Sequence, residues 1–289
     1  MFFQQGYPTV LKEVFRFGTA HAWLSATVPR RVHKRMDLGL NGKVAMVAAA
    51  SSGLGLATAE ELANEGCRLS ICGRDSGRLE RAVDRLRSKG AEVLARATDV
   101  TDCADAAAWV AETAEHFRCI DILVTNCGGV AAGPPSAMTP KDFDDAFERV
   151  LLPSINLVTA ALPYLRRSPA GRILMLASEA IVRTPVHFAL SGVARAGLVP
   201  YCHTLVQELS GENITVNVLA PGAHRTAIHE ANRLGDHAGA IRALEDRTPA
   251  RRLGDPSEFA AVAAFLASAR AAYVSGALIV IDGGLSATV

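Results

Sequence analysis

Gly53 and Gly55 stand two residues apart in the stretch Ala48-Ala49-Ala50-Ser51-Ser52-Gly53-Leu54-Gly55, between the apolar run Val44–Val47 and a helix-like stretch, Leu56–Glu65. A strand that turns sharply into a helix leaves the first helical N–H groups without partners, and a phosphate can take them only where side chains leave room. The two glycines clear that approach. The loop therefore reads as a cradle for a dinucleotide pyrophosphate, with Ala49, Ser51, Ser52 and Leu54 supplying the rest of its wall. The second apolar run ends in Cys72-Gly73-Arg74, where a dinucleotide fold that selects NAD places an acid to accept from the ribose hydroxyls. A guanidinium at Arg74 can fork onto a 2′-phosphate, and a missing carboxylate removes a repulsion against it. NADP(H) is favoured; NAD(H) stays open if Asp75 serves the ribose and Arg74 only caps the strand end in solvent.

These groups need a scaffold that brings strand ends together. Strand-length apolar runs at Val44–Val47, Leu69–Cys72, Val93–Ala95, Ile122–Val124, Ile173–Ala177, Thr215–Leu219 and Leu278–Ile281 alternate with helical patterns. Continuous rather than alternating hydrophobicity indicates strands covered on both faces, as right-handed βαβ crossovers require. The expectation is an α/β fold, a doubly wound parallel sheet of about seven strands in a single Rossmann-type domain, with ligands at the carboxyl ends of its strands.

Composition narrows the function classes. The 30 basic and 29 acidic residues give a formal net charge of +1 with no sustained basic face, which argues against nucleic acid. The 6 cysteines show no C-x-x-C pair and no zinc spacing, so no metal is expected and a reducing, cytoplasmic setting fits. No run reaches the roughly 18 apolar residues of a membrane span. Residues 1–38 are rich in aromatic and basic side chains and read as an N-terminal extension to a domain at 39–289.

The glycine loop resembles the Thr-Gly-x-x-x-Gly-x-Gly motif of the short-chain dehydrogenase/reductase family, with Ala48 and Ala49 in place of its Thr and first Gly. Asp99-Val100, Asn126-Cys127-Gly128, Asn217 to Gly222 with Thr226, and Asp282-Gly283-Gly284 are similar to further segments of that family, so the likeness covers roughly residues 39–285 and is of a 3-oxoacyl reductase type. The resemblance implies that Asp99 and Val100 meet the adenine, that Asn126 and Gly128 line the cofactor, and that Pro221, Gly222 and Thr226 meet the nicotinamide. It also implies a homodimer or homotetramer built on helices at 141–166 and 190–209.

Family members of the common type use Ser, Tyr, Lys and Asn to polarise a carbonyl and deliver a proton. Ser178 matches the Ser, whereas the Tyr position falls on Ser191, the Lys position on Arg195 and the Asn position on Val150. A Tyr hydroxyl of pKa about 10 can be tuned into an acid, but an aliphatic hydroxyl starts far higher, and Arg does not give up a proton near neutral pH. Arg195 retains the capacity to bond a cofactor ribose. His187, His224, a water or the substrate itself remain as proton sources. The expected activity is an NADP(H)-dependent oxidoreductase acting on a carbonyl, alcohol or imine of a small molecule, with Ser178, Ser191 and Arg195 at its catalytic centre. A non-enzymatic nucleotide-binding scaffold is the alternative, and an isomerase or dehydratase on the same frame is a third.

Overall fold

The strands of the sheet are apolar over most of their length because neighbouring residues serve two different cores. In β1 (Val44–Val47), Ala45 and Val47 join the core on one face while Met46 joins the core on the other, and β4 (Ile122–Thr125) divides Ile122 and Val124 from Leu123 in the same way. The computed structural model describes residues 36–226 and 237–287. The chain divides into two units, Met1–Met36 and Asp37–Val289. The extension expected at 1–38 lies, as far as residue 35, outside the described residues.

β1, β2 (Arg68–Gly73), β3 (Val93–Ala97), β4, β5 (Gly171–Leu176), β6 (Ile214–Pro221) and β7 (Leu278–Ile281) form one sheet in the order β3-β2-β1-β4-β5-β6-β7, and all its pairings are parallel. Strand order reverses at β1, which pairs with β2 on one side and β4 on the other, and a cleft opens above such a point. On one face, α1 (Gly53–Asn64) and α2 (Ser76–Ser88) bury Leu62, Leu79 and Leu86 with Phe259 of a late helix, Pro256–Ala267. On the other, α3 (Cys103–Phe117) buries Trp109 against Ser70, whose hydroxyl accepts from Trp109 Nε1 at 2.9 Å.

The helices expected at 141–166 and 190–209 are each divided. The first becomes α4 (Pro140–Ala146), a π-helical turn (Phe147–Leu151) and α5 (Leu152–Leu165). Pro153 has no N–H to offer the carbonyl four residues back, and the chain takes the wider turn there. The second becomes α6 (Ala189–Ala196) and α7 (Leu198–Glu208), and Pro200 removes the bond that would have reached Ala196. Gly197 at the joint lies so close to the π turn that a Cβ would come within 2.9 Å of Leu151 Cδ2.

Candidate active site

A cavity of about 900 Å³ runs over the carboxyl ends of β1, β2, β3, β4, β5 and β6. Every residue expected to meet a cofactor lines it except Gly55, which lies beneath the loop. Ala48 N donates to Val124 O at 3.0 Å and Ala50 N to Cys72 O at 2.9 Å, so the loop after β1 is pinned to the strands on either side. A Cβ on Gly73 would lie 2.9 Å from Ser51 Oγ, and glycine there lets the loop rest against the end of β2.

Ser52 precedes α1 in extended conformation and its hydroxyl caps no helical N–H. The first turn's bond is donated by Leu56 to Ser52 O at 3.2 Å, and the N–H groups of Gly53, Leu54 and Gly55 meet no acceptor among the described residues. Gly53 and Leu54 stand at the cavity wall, as an anion site requires. Ala49, where the family motif has glycine, holds a left-handed φ of 49°. That conformation costs an alanine about 1 to 2 kcal/mol. Set against the unfolded-state entropy that glycine adds, Ala49→Gly is expected to raise the unfolding free energy by about 0.5 to 1 kcal/mol. Urea denaturation of the two proteins measures it.

Arg74 is exposed and its guanidinium reaches to 4.0 Å from the position a Cβ on Gly128 would take, spanning the cleft from β2 to β4. Asp75 caps α2, accepting from Arg78 N at 2.9 Å. Asp99 accepts from Thr101 N at 3.0 Å and from Thr101 Oγ1 at 2.8 Å. Burial works against its charge, but the Thr101 hydrogen bonds and the nearby Arg74 and Arg149 outweigh it and hold the carboxyl below its ordinary range. Val100 is buried beside it, and Asn126 turns its Oδ1 to Cys127 N at 2.9 Å.

At the other end of the cavity Arg195 donates from Nη1 to Ser191 Oγ at 2.7 Å and from Nη2 to Gly128 O at 3.0 Å. Ser191 is buried, and with its oxygen accepting from Arg195 its hydrogen is left to donate onward. Val150 is fully buried with Leu190 and Ala194, so the position aligned with the family Asn is part of an apolar cluster. Cys127 Sγ lies 3.6 Å from Val150 O, and burial pushes its thiol up despite Arg195, which keeps it neutral.

The two histidines separate. His187 is exposed, and α6 begins only at Ala189, so the early helix start that would have brought it under Ser191 does not occur. His224 lines the cavity but is almost wholly buried: Nδ1 donates to Gly222 O at 2.9 Å and the ring stands edge-on to Phe259, centroids 5.9 Å apart. Gly222 and Pro221 lead into this loop, and Thr226 closes over Gly53, its Cγ2 3.7 Å from where a Cβ would stand. The residues sequence reasoning missed are Arg149 and Leu152, which the π turn brings to the cavity wall, and Glu179, whose carboxylate holds Ser178. An acid next to the serine that follows the apolar run Ile173–Ala177 is the available signal for the last.

Residues 48–286 match the family model described as Enoyl-(Acyl carrier protein) reductase. The chain is 32% identical over 250 residues to Dehydrogenase/reductase SDR family member 4 of Caenorhabditis elegans, covering 85% of this chain and 96% of that one. The chain belongs to the short-chain dehydrogenase/reductase family. This member of the family is also 31% identical over 248 residues to the 3-oxoacyl acyl-carrier-protein reductase FabG of Vibrio cholerae, covering 86% of this chain and 99% of its relative. Among solved structures, L-sorbose reductase from Gluconobacter frateurii, complexed with NADPH and L-sorbose, superposes with a TM-score of 0.82 at 31% identity, covering 88% of this chain and all 100% of the other. Among the described residues no helix is long and apolar enough to cross a membrane, and no cluster of three or more His, Cys, Asp or Glu is placed to hold a metal.

Proposed function

We propose that this short-chain dehydrogenase/reductase is an NADP(H)-dependent oxidoreductase that interconverts a carbonyl, or an imine, with the corresponding alcohol or amine of a small molecule. The observation that carries the reading is the uncapped α1 N-terminus, whose donors stand without acceptors beside a loop that only Gly73 allows to sit so close. Those features fit a dinucleotide. The pyrophosphate would lie on the N–H groups of Gly53 and Leu54. Arg74 would take the 2′-phosphate, and Asp75, already engaged as a helix cap, favours the phosphorylated nucleotide by leaving that work to a cation.

A bound reduced nicotinamide supplies hydride to a carbonyl carbon. Around it this chain's own residues orient and hold charge. Arg195, tied at both Gly128 O and Ser191 Oγ, fixes a guanidinium at one end of the cleft. Ser191 and Ser178 offer hydroxyls to a substrate oxygen. The likeness to relatives that act on small molecules supports a small-molecule substrate, and the family habit of pairing helices in the region of α4 to α7 supports a homodimer or homotetramer in a cytoplasmic setting.

Titration of the purified chain with NADPH and NADH, followed by nucleotide fluorescence, tests the reading. Arg74→Ala is expected to weaken NADPH about 10- to 100-fold, the size of one lost charge-assisted contact, and to leave NADH within about twofold. Equal loss for both nucleotides would remove Arg74 as the selecting group. Failure of the wild type to bind either would remove the oxidoreductase reading and the nucleotide-binding scaffold alike, whereas binding without turnover would favour the scaffold alternative, in which a buried Val150 and the changed positions 191 and 195 mark a site no longer used for chemistry.

A further inference from the structure

Position 191 carries a weak acid, His187 is exposed and His224, at the cavity wall, is almost wholly buried with Nδ1 held by Gly222 O, yet a carboxyl group stands beside Ser178. Glu179 follows Ser178 at the end of β5 and opens a 3-10 turn, Glu179–Ile181. Ser178 Oγ lies 2.9 Å from Glu179 Oε2 and accepts from Ala180 N at 3.2 Å, so the hydroxyl is held from two sides. The turn packs against α6 and β6. Among the groups around it, Arg195 of α6 and Asp282 after β7 are the charges that act on the carboxyl. Burial is the largest influence and pushes Glu179 above the ordinary carboxylate range; the Ser178 bond, its own backbone N–H and Arg195 pull down, and Asp282 pushes up with burial.

We propose that Glu179 is the proton reservoir of this site, passing its proton through the Ser178 hydroxyl to the oxygen of a carbonyl substrate. The inference rests on the hydride chemistry proposed above, with reduced nicotinamide as the reductant. With Glu179 protonated, the hydrogen bond runs from the acid to Ser178 Oγ, and the Ser178 hydrogen is released toward substrate. As the carbonyl carbon is reduced and its oxygen gains negative charge, the Ser178 O–H bond breaks and an O–H bond to the substrate oxygen forms. At the same time the Glu179 O–H bond breaks and a new one forms at Ser178 Oγ. Arg195 stabilises the carboxylate that results, and water returns its proton. Glu179 acts through Ser178 and is in that sense a positioning residue. In the oxidative direction the same path runs backwards, with the carboxylate as the acceptor.

The test is carbon NMR of the full chain with side-chain-labelled glutamate, titrated with pH, the Glu179 resonance being identified by its loss in Glu179→Gln. Glu179 is expected to titrate above the other glutamates, and Ser178→Ala, which removes a bond to the carboxylate, is expected to raise its midpoint further. With saturating NADPH and acetoacetyl-CoA as a ketone probe, the wild-type rate should fall as pH rises through that midpoint. Glu179→Gln should lose that limb and about 10-fold in kcat, with KM and NADPH affinity held, since Gln still orients the hydroxyl and water can reach it. An ordinary Glu179 midpoint, or one indifferent to Ser178→Ala, overturns the relay, and so does a Glu179→Gln protein with the wild-type pH profile. If the probe is not turned over, the NMR midpoints decide alone. A wild type that does not bind NADPH removes the hydride reading and the relay together; binding with an unchanged profile removes only the relay.

Discussion

Gly55→Ala is expected to cost about 3 kcal/mol of stability and to abolish nucleotide binding, an effect out of proportion to one methyl group. The added Cβ would lie 2.4 Å from Ala49 O, 3.0 Å from Ala49 C and 3.1 Å from Ala50 Cα. All three are backbone atoms, so no side chain can rotate away. Relief requires the loop to move, but its two hydrogen bonds to Val124 and Cys72 tie it to β4 and β2. The alternative is to lift α1, which packs against the helix Pro256–Ala267 over much of its length. Either movement displaces the N–H groups on which the pyrophosphate reading depends. Gly53→Ala is the internal control: its Cβ meets only Thr226 at 3.7 Å, and its cost is the strain of a φ of 59°, about 1 to 2 kcal/mol. Thermal melts should order wild type, Gly53→Ala and Gly55→Ala, with the last about 6 to 12 °C below the first. A Gly55→Ala protein that melts with wild type and binds NADPH would show that the loop is far softer than its hydrogen bonds imply.

The sheet was legible because burial on both faces writes itself into composition. Val44–Val47 and Leu278–Ile281 coincide with the strands read from the sequence, and the others differ only at their ends, where Gly171, Arg172 and Pro221 pair in the sheet without being part of an apolar run. The glycine loop was legible for a related reason, since close approach of backbones leaves glycine as the residue that fits. What the sequence does not carry is the direction in which a side chain is held. His187 and His224 look alike as histidines four and two residues from a motif, yet one is exposed and the other locked against Gly222 and Phe259. Arg149 and Leu152 reach the cavity only because the π turn shifts the helical phase at Pro153, a shift that a regular 3.6-residue periodicity does not describe. Glu179 is illegible in the sequence for a different reason. Its importance lies in a hydrogen bond to its own neighbour, made possible by the turn that follows β5 and by the burial that α6 imposes on it.

Ser191→Tyr combined with Arg195→Lys is expected to raise kcat for ketone reduction by about 100-fold, the low end of what a positioned general acid contributes. The phenol brings an acid of pKa about 10, several units closer to neutrality than an alkyl hydroxyl, and an ammonium one helical turn away favours its ionised form. The gain stays at the low end because Ser178 already offers a proton path. Each substitution alone should gain little. Ser191→Tyr alone sets a phenol against Arg195, where it would have to displace a guanidinium held at 3.0 Å by Gly128 O. Arg195→Lys alone sets an ammonium beside Ser191, whose hydroxyl is too weak an acid for that charge to activate. The effect is therefore non-additive, and a double-mutant cycle on kcat, with melting temperatures measured for every variant, separates it from loss of fold. If the relay through Ser178 operates, the double variant should also weaken the dependence of rate on Glu179, because two donors then compete to protonate one oxygen. A folded double variant with no gain would mean that the side chain at position 191 is not aimed at the substrate, and the reaction would then depend wholly on the hydroxyl at the end of β5.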